Sequence, residues 1–239
     1  MNSRPFFSVV VSFYNEAENL SRLIREIDAM LRAMEETAEI ILVNDGSTDT
    51  FVRPPASPSF AIRWLDISQN SGQSAGMFYG IQAAQGDFII MLDADLQNDP
   101  MDVPQMWRRL QDEELDLVTG VRTVRKDTFI RRASSNIANA VRSALLRDHT
   151  SDTGCALKIM RREPARRLPG WTGMHRFIPA LFLSAGYRIG EIPVNHRPRH
   201  AGVSKIAGGK RAVRATVDLL GMLWFSRRQF KGRLLPEDR

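Results

Sequence analysis

The residues best placed to do chemistry are Asp93-Ala94-Asp95-Leu96-Gln97. They follow the apolar run at residues 87–92 (DFIIML), which reads as a strand. Two carboxylates at i and i+2 on a strand end point the same way. Hard oxygen ligands of this kind suit Mg²⁺ or Mn²⁺, cations that keep several waters and share the oxygens of bound phosphates. The competing reading is a capped turn, which would leave two aspartates at a strand end without a positive partner, a costly arrangement.

Two further polar clusters have the same placement. Ser12 to Glu16 follows an apolar run at 7–13 (FSVVVSF), and Asn44 to Asp49 follows another at 39–43 (EIILV). Taken alone, Asp45-Gly46-Ser47-Thr48-Asp49 reads as an Asx-turn and helix cap. In an open α/β sheet, ligands bind beyond the carboxyl ends of the strands, so parallel strands would gather all three clusters on one edge. Gly72-Gln73-Ser74-Ala75-Gly76 is neither a Walker loop nor a GxGxxG fingerprint, which counts against a P-loop NTPase and a dinucleotide oxidoreductase. Arg122, Arg125, Arg131, Arg132 and Ser135 are candidates for holding phosphate, with Arg131 and Ser135 on one helix face; a solvated face explains them nearly as well. Arg199, Gly202, Ser204 and Lys205 form a second basic loop able to close over an anion. The four histidines form no metal cluster.

The elements that must position these residues alternate. Strands at 7–13, 39–43, 62–67 and 87–92 are separated by helices, the first starting at an N-cap Asn15 and the second covering 72–85. A Pro-rich loop lies at 53–59. Helix at 100–110, strand at 116–121, a basic amphipathic segment at 127–147, strands at 156–160 and 187–194 and a helix near 175–185 complete the body. The pattern predicts right-handed βαβ units and a Rossmann-like, mostly parallel sheet flanked by helices. A basic helix over 207–230 carries Val213, Val217, Leu220, Leu223 and Trp224 on one side. One domain, 1–206, with a C-terminal extension, 207–239, fits better than two domains.

Composition sets outer limits. Over 239 residues, 43 % hydrophobic and 25 % charged is ordinary for a globular chain and excludes a collagen or a disordered tail. One cysteine, Cys155, excludes an internal disulfide framework and a cysteine-based zinc site. No signal-peptide core and no apolar stretch of 18 residues is present, the best apolar run being Leu219 to Phe225, so no transmembrane helix is expected. The net charge of +6 divides unevenly: residues 1–120 carry −11 and residues 121–239 carry +17, with 28 of the 33 basic residues Arg. The acidic half suits a divalent cation, and the Arg-rich half suits phosphates or an anionic membrane surface.

Tyr14-Asn15-Glu16, Asn44 to Asp49, Asp93 to Pro100 and Arg199-His200-Ala201-Gly202-Val203-Ser204-Lys205, in that order, make the chain resemble the family 2 glycosyltransferases. Within them it is similar to the polyprenyl-phosphate branch, which holds the dolichol-phosphate mannose synthase group and bacterial undecaprenyl-phosphate sugar transferases. The likeness runs from about residue 7 to 206. It implies a GT-A fold and inverting transfer of one sugar from a UDP- or GDP-sugar to a lipid phosphate. By position, it implies that Ser12, Tyr14 and Glu16 line the nucleoside pocket, with Gly72 and Ala94 beside the nucleotide, and that Asp45 contacts the base. Asp93, Asp95 and Gln97 would hold Mg²⁺ or Mn²⁺ and the donor diphosphate. Arg122, Arg131 and Ser135 would take the acceptor phosphate, while Arg199, Ser204 and Lys205 close over the phosphates. Asp152 and Asp95 would be the catalytic carboxylates.

The departures are Ser12 where relatives usually have Pro, Gly72-Gln73-Ser74 where many have glycine-lysine-glycine, Ile206 where an aromatic is common, and no following transmembrane helices. The last of these leads to the expectation of a peripheral enzyme, and the lack of a signal-peptide core to that of an active site on the cytosolic face of the membrane. Residues 207–230 would lie in the interface, with Leu223, Trp224 and Phe225 inward and Arg211, Arg214, Arg227 and Arg228 at headgroups. A homo-oligomer or a membrane-protein partner stays open. Direct displacement is expected, because a lipid phosphate monoester is already largely ionised at neutral pH; Asp152 would orient rather than deprotonate. A transferase with a soluble or polysaccharide acceptor is the alternative. A non-catalytic nucleotide or nucleic-acid binder is disfavoured by the intact acidic cluster, so no nucleic-acid partner is expected.

Overall fold

The computed structural model describes residues 4–50, 53, 59–122, 142–146, 148, 150–198 and 209–228, with backbone alone for 209–214. Strands β1 (Phe7–Phe13), β2 (Ala38–Asn44), β3 (Ala61–Asp66), β4 (Phe88–Asp93), β5 (Leu117–Arg122), β6 (Lys158–Arg161) and β7 (Ile189–Val194) form one sheet in the order β3-β2-β1-β4-β6-β5-β7. All pairings are parallel except those of β6, which runs antiparallel to both β4 and β5. The helices are α1 (Ala17–Met34), α2 (Gln73–Ala83), α3 (Val103–Asp112), α4 (Arg162–Arg166), α5 (Ile178–Ser184) and α6 (Gly209–Arg227).

The period-2 pattern of the strands makes two cores. Val9, Val11, Ile40, Leu42, Ile90 and Leu92 face one side and bury Leu20, Leu23, Ile27 and Leu31 of α1 with Val103, Met106 and Leu110 of α3. Val10, Ile41, Val43, Ile89 and Met91 face the other side, under Met77 and Ile81 of α2 and Ile178, Leu181 and Phe182 of α5. Each such aliphatic side chain contributes about 1.5–3 kcal/mol by leaving water. Glycines let α2 lie close: a Cβ on Gly80 would stand 2.3 Å from Val10 Cγ1, and one on Gly76 1.9 Å from Ser12 Oγ.

Three sequence expectations change. Asn15 is not the N-cap of α1; Glu16 holds that position without a side-chain cap bond. Asn15 sits at φ 54°, and its Oδ1 accepts the amides of Thr48 (2.7 Å) and Asp49 (3.2 Å), while Asp49 Oδ2 accepts the Ala17 amide at 3.1 Å. The capping carboxylate thus comes from the loop after β2. The helix expected at 100–110 opens as a 3₁₀ turn, Pro100–Asp102, capped by Asp99, before α3. On α6, Phe225 packs with Leu219 and Met222 against the second core instead of pointing away from the body. Val217, Leu220 and Trp224 face outward, each 61 % exposed. Most of the 127–147 segment lies outside the described residues; 142–146 are helical.

Candidate functional site

The register places Ser12 beside Val43 on one side and Asp93 on the other. The polar ends of β1, β2 and β4 therefore share the carboxyl edge of the sheet, as the parallel reading requires. Asp93 ends β4, and the Gln73 side chain, at the first residue of α2, donates to its Oδ1 at 2.6 Å. The Asp93 amide donates to Asn98 Oδ1 at 3.3 Å. Asp95, 8 % exposed, takes the Gln97 amide on Oδ1 at 3.1 Å, across Leu96 in the left-handed region at φ 61°. Burial, and then the charge of Asp95, raise the Asp93 carboxyl from 3.8 to about 6, against the pull of Gln73, Lys158 and Arg122.

Asp93 and Asp95 thus bring two carboxylates to one end of the sheet. Among the described residues no group of three His, Cys, Asp or Glu could hold a metal ion. Two carboxylates fit a cation that completes its shell with water and phosphate oxygens, as Mg²⁺ and Mn²⁺ do, and not a closed structural site. The Gln97 side chain turns toward the 196–197 segment, its Nε2 3.5 Å from the Arg197 carbonyl and 3.5 Å from His196 Nε2.

Asp45 is 2 % exposed, and its carboxylate accepts the amides of Ser71 (2.8 Å) and Gly72 (2.7 Å) and the Asn70 side chain (3.1 Å). It shapes the turn that leads into α2. Gly46, at φ 66°, permits this approach, since a Cβ there would stand 2.6 Å from the Asn70 nitrogen. Gly72, at φ 88°, has open space where a Cβ would be. Ser12 lies under Gly76, Tyr14 is half-buried, and Glu16 accepts the Asn19 side chain at 2.7 Å. Ala94 is buried in the first core, so only its backbone can face a ligand.

Arg122, at the end of β5, clasps Asp152 with Nε to Oδ2 at 2.7 Å and Nη2 to Oδ1 at 2.8 Å. The backbone amides of Arg122 and Gly154 add bonds of 3.2 Å each. Burial works to lower the Arg122 pKa, but Asp152 overrides it and the net shift is upward. Arg122 and Asp152, one expected to hold acceptor phosphate and the other to catalyse, are therefore partners of each other. Arg131, Ser135, Arg199, Ser204 and Lys205 lie outside the described residues. The segment leading to the last three is anchored beside the acidic loop. Asn98 bridges His196, Arg197 pairs with Asp99 at 2.7 Å and Glu26 at 2.6 Å, and the Asn195 amide donates to Asp102 at 2.7 Å.

Sequence reasoning gave no role to Gln73, Asn98, Ser74 or Lys158. Ser74, in the first turn of α2, accepts the Gly173 amide at 2.9 Å and stands 2.7 Å from His175 Nδ1. Lys158, 2 % exposed, donates to the Cys155 carbonyl. Its one sequence signal is a lysine amid Ala156, Leu157, Ile159 and Met160. Gln73 and Asn98 carry no local signal, because their partners are fixed by the sheet edge and the turn geometry.

Comparison with known proteins agrees with this geometry. The chain is 38 % identical over 227 residues to dodecaprenyl-phosphate galacturonate synthase of Rhizobium johnstonii, covering 92 % of this chain and 67 % of that protein. It is 34 % identical over 204 residues to undecaprenyl-phosphate 4-deoxy-4-formamido-L-arabinose transferase of Edwardsiella ictaluri, covering 84 % and 62 %. The chain thus spans about two thirds of the length of these curated relatives. Among solved structures, glucosyl-3-phosphoglycerate synthase from Mycobacterium tuberculosis, in complex with Mn²⁺, UDP-glucose and phosphoglyceric acid, superposes with a TM-score of 0.65 at 18 % identity, covering 93 % of this chain and 79 % of that one. A mannosyltransferase from Pyrobaculum calidifontis with GDP-mannose and Mn²⁺ gives 0.60 at 20 % identity, covering 97 % and 67 %. Both share the GT-A-like arrangement of sheet and helices. The family model for glycosyl transferase family 2 matches residues 8–168, which hold the three clusters at the sheet edge as well as Arg122 and Asp152, and the chain belongs to that family.

Proposed function

We propose that the chain is an inverting transferase that moves one sugar from a nucleoside-diphosphate sugar to a polyprenyl phosphate. The observation that carries the donor half is the Asp93–Asp95 pair on the carboxyl edge of the sheet, with Asp93 held near 6 by burial and by its neighbour. The relatives named for dodecaprenyl- and undecaprenyl-phosphate sugar transfer support the acceptor half. Structures of the same fold that carry Mn²⁺ with UDP-glucose or GDP-mannose support a divalent cation and leave both nucleotides as donors.

Asp93 and Asp95 would hold Mg²⁺ or Mn²⁺, which supplies charge neutralisation for the departing diphosphate. The acceptor oxygen attacks the anomeric carbon, the bond to the diphosphate breaks, and the configuration inverts. A phosphate monoester has a second pKa of about 6, so the nucleophile arrives already ionised. That agrees with Asp152, whose carboxylate is spent on the Arg122 fork and is poorly placed to take a proton. We read the pair as a rigid wall of the site. Arg131, Ser135, Arg199, Ser204 and Lys205 are the groups we assign to the phosphates, and Ser12, Tyr14, Glu16, Gly72 and Ala94 to the nucleotide. We assign Asp45 the shaping of the nucleotide loop. Gln97 we place beside the cation through the loop it stabilises.

Among the described residues no helix is long and apolar enough to cross a membrane. We propose that residues 207–239 are an extension seated on the 1–206 domain through Met222 and the Asp218–Arg176 pair, 2.6 Å apart. Val217, Leu220 and Trp224, with exposed Arg227 and Arg228, would then meet the cytosolic membrane face. The donor half is tested with Asp95→Ala, which should keep the fold by circular dichroism and lose Mn²⁺-dependent turnover. An Asp95→Ala protein as active as wild type would refute the metal assignment.

A further inference from the structure

A cleft of about 340 Å³ lies between α6 and the loop that precedes Gly173. Its walls are Pro169 and Trp171 of the loop and Val217, Met222, Trp224 and Phe225 of the helix. The charged residue in its wall, Asp218, is paired with Arg176 at 2.6 Å. An apolar ligand could therefore lie there without stripping water from an unpaired charge. A second cavity, of about 280 Å³, shares Trp171 with the first. Its walls are more polar, with Ser71, Ser74 and Thr172 beside Phe78 and Tyr79. Ser71 and Ser74 stand at the entry to α2, where the Gln73 side chain bonds Asp93 at 2.6 Å. Polarity thus rises from α6 toward the carboxyl edge of the sheet.

Two glycines border these cavities, for different reasons. A Cβ on Gly170 would stand 3.1 Å from the Phe78 ring, so glycine lets the loop close on α2. Packing gives Gly221 no such reason, because a Cβ there would meet no atom within 4 Å. Gly221 also lies well inside α6, where glycine is a poor helix former. Val217, Gly221, Trp224 and Phe225 follow the i, i+4, i+7, i+8 spacing of one helix face. The residue without a side chain therefore stands in the middle of the apolar wall and keeps the cleft deep.

We infer that this cleft seats the prenyl chain of the acceptor, with isoprene units against Trp171, Gly221 and Trp224 and the phosphate end directed toward the more polar cavity. The inference rests on the proposed polyprenyl-phosphate acceptor and adds where its chain is held. Three observations select this occupant. A prenyl chain has no hydrogen-bonding group, and the cleft offers it apolar surface and a charge already paired. A lipid phosphate is apolar at one end and anionic at the other, which matches the order of the two cavities. Val217 and Trp224, each 61 % exposed, line the cleft and belong to the helix face proposed to meet the membrane, so one helix leads the chain from bilayer to cleft. The volume is at the lower end of ordinary ligand sites, which start at about 300 Å³.

The test uses the full chain in detergent, with Mn²⁺ and donor saturating and undecaprenyl phosphate varied. Farnesol, a prenyl chain without phosphate, is the second probe. Gly221→Leu puts a side chain into the cleft. It should raise the KM for undecaprenyl phosphate about tenfold, keep kcat within about twofold, and resist urea at least as well as wild type. Gly221→Ala should raise the KM less. Farnesol should inhibit wild type competitively against the lipid and lose potency several-fold against Gly221→Leu. An unchanged KM in Gly221→Leu, a fall in kcat alone, or farnesol inhibition that is absent or equal in the two proteins would overturn the inference. A shift from dimer to monomer in sedimentation, with the KM unchanged, would also overturn it and give the cleft to a second copy of the chain. Should Gly221→Leu fail to fold, farnesol competition in wild type and Gly221→Ala decides the matter. Wild-type transfer to water-soluble acceptors alone would refute the proposed acceptor and this inference with it. Transfer to lipid with one KM in all three proteins would refute the cleft and leave the acceptor standing.

Discussion

Asp152→Asn separates a structural carboxylate from a catalytic base. The Asp152 side chain is 5 % exposed and its partner Arg122 19 %, and the carboxylate takes two Arg122 side-chain bonds and two backbone amides. Removing one partner of a fully buried ion pair costs about 3–5 kcal/mol. Asparagine keeps one acceptor oxygen and Arg122 keeps some contact with water, so we expect a loss of about 2 kcal/mol. For a chain of this size that lowers Tm by roughly 4–8 °C. Because the acceptor phosphate is already ionised, turnover at saturating Mn²⁺ and donor, measured below the variant's melting range, should fall by no more than about tenfold. The assay pair is urea unfolding and initial transfer rate on the same preparation. A loss of about 10³-fold or more with unfolding unchanged would refute the reasoning and restore Asp152 as a general base.

Three other outcomes follow from the geometry. Gly80→Ala should destabilise by about 1–2 kcal/mol in urea, since a Cβ 2.3 Å from Val10 Cγ1 must displace α2 and that strain outweighs the gain in helix propensity; a stabilised variant would contradict the close packing. The metal-free protein should lose stability as pH rises from about 4 through 6 and then level off. The folded-state pKa of Asp93 is raised from 3.8 to about 6, so the fold binds the proton more tightly than the unfolded chain does. We expect about 1–2 kcal/mol for this partly exposed group, absent in Asp93→Asn; a wild-type curve with the same slope as the variant's would remove the effect. Trp224→Ser should reduce sedimentation with anionic vesicles several-fold while leaving metal-dependent donor hydrolysis intact, and vesicle binding equal to wild type would dismiss α6 as the contact surface.

What the sequence made legible was local. Runs such as FSVVVSF and EIILV bury both faces, so they could only be inner strands, and each boundary falls within one residue of the structure. The edge that gathers Ser12, Asp45 and Asp93 followed from parallel pairing, which the alternation of strands and helices implies. What stayed hidden depends on partners distant in sequence. Asp45 faces the amides of Ser71 and Gly72, which no pattern around Asp45 reveals. Arg122 finds Asp152 across 30 residues because the antiparallel insertion of β6 brings that turn to the end of β5. Asn15 looked like a cap because it precedes an amphipathic helix, but its amide group serves the loop after β2 and Asp49 serves the helix. Lys158 read as one residue of a strand until β6 was seen to run beside β4 on the Asp93 face.

The central claim is that the sugar ends on a polyprenyl phosphate. Purified chain would be incubated with Mn²⁺ or Mg²⁺, a panel of UDP- and GDP-sugars, and undecaprenyl or dolichyl phosphate in detergent, and the lipid fraction read by mass spectrometry. The account expects a polyprenyl phosphate heavier by one sugar residue, with inverted anomeric configuration, formed only with the divalent cation. Metal-dependent release of nucleoside diphosphate with the sugar in a water-soluble product, and none on lipid, would contradict it.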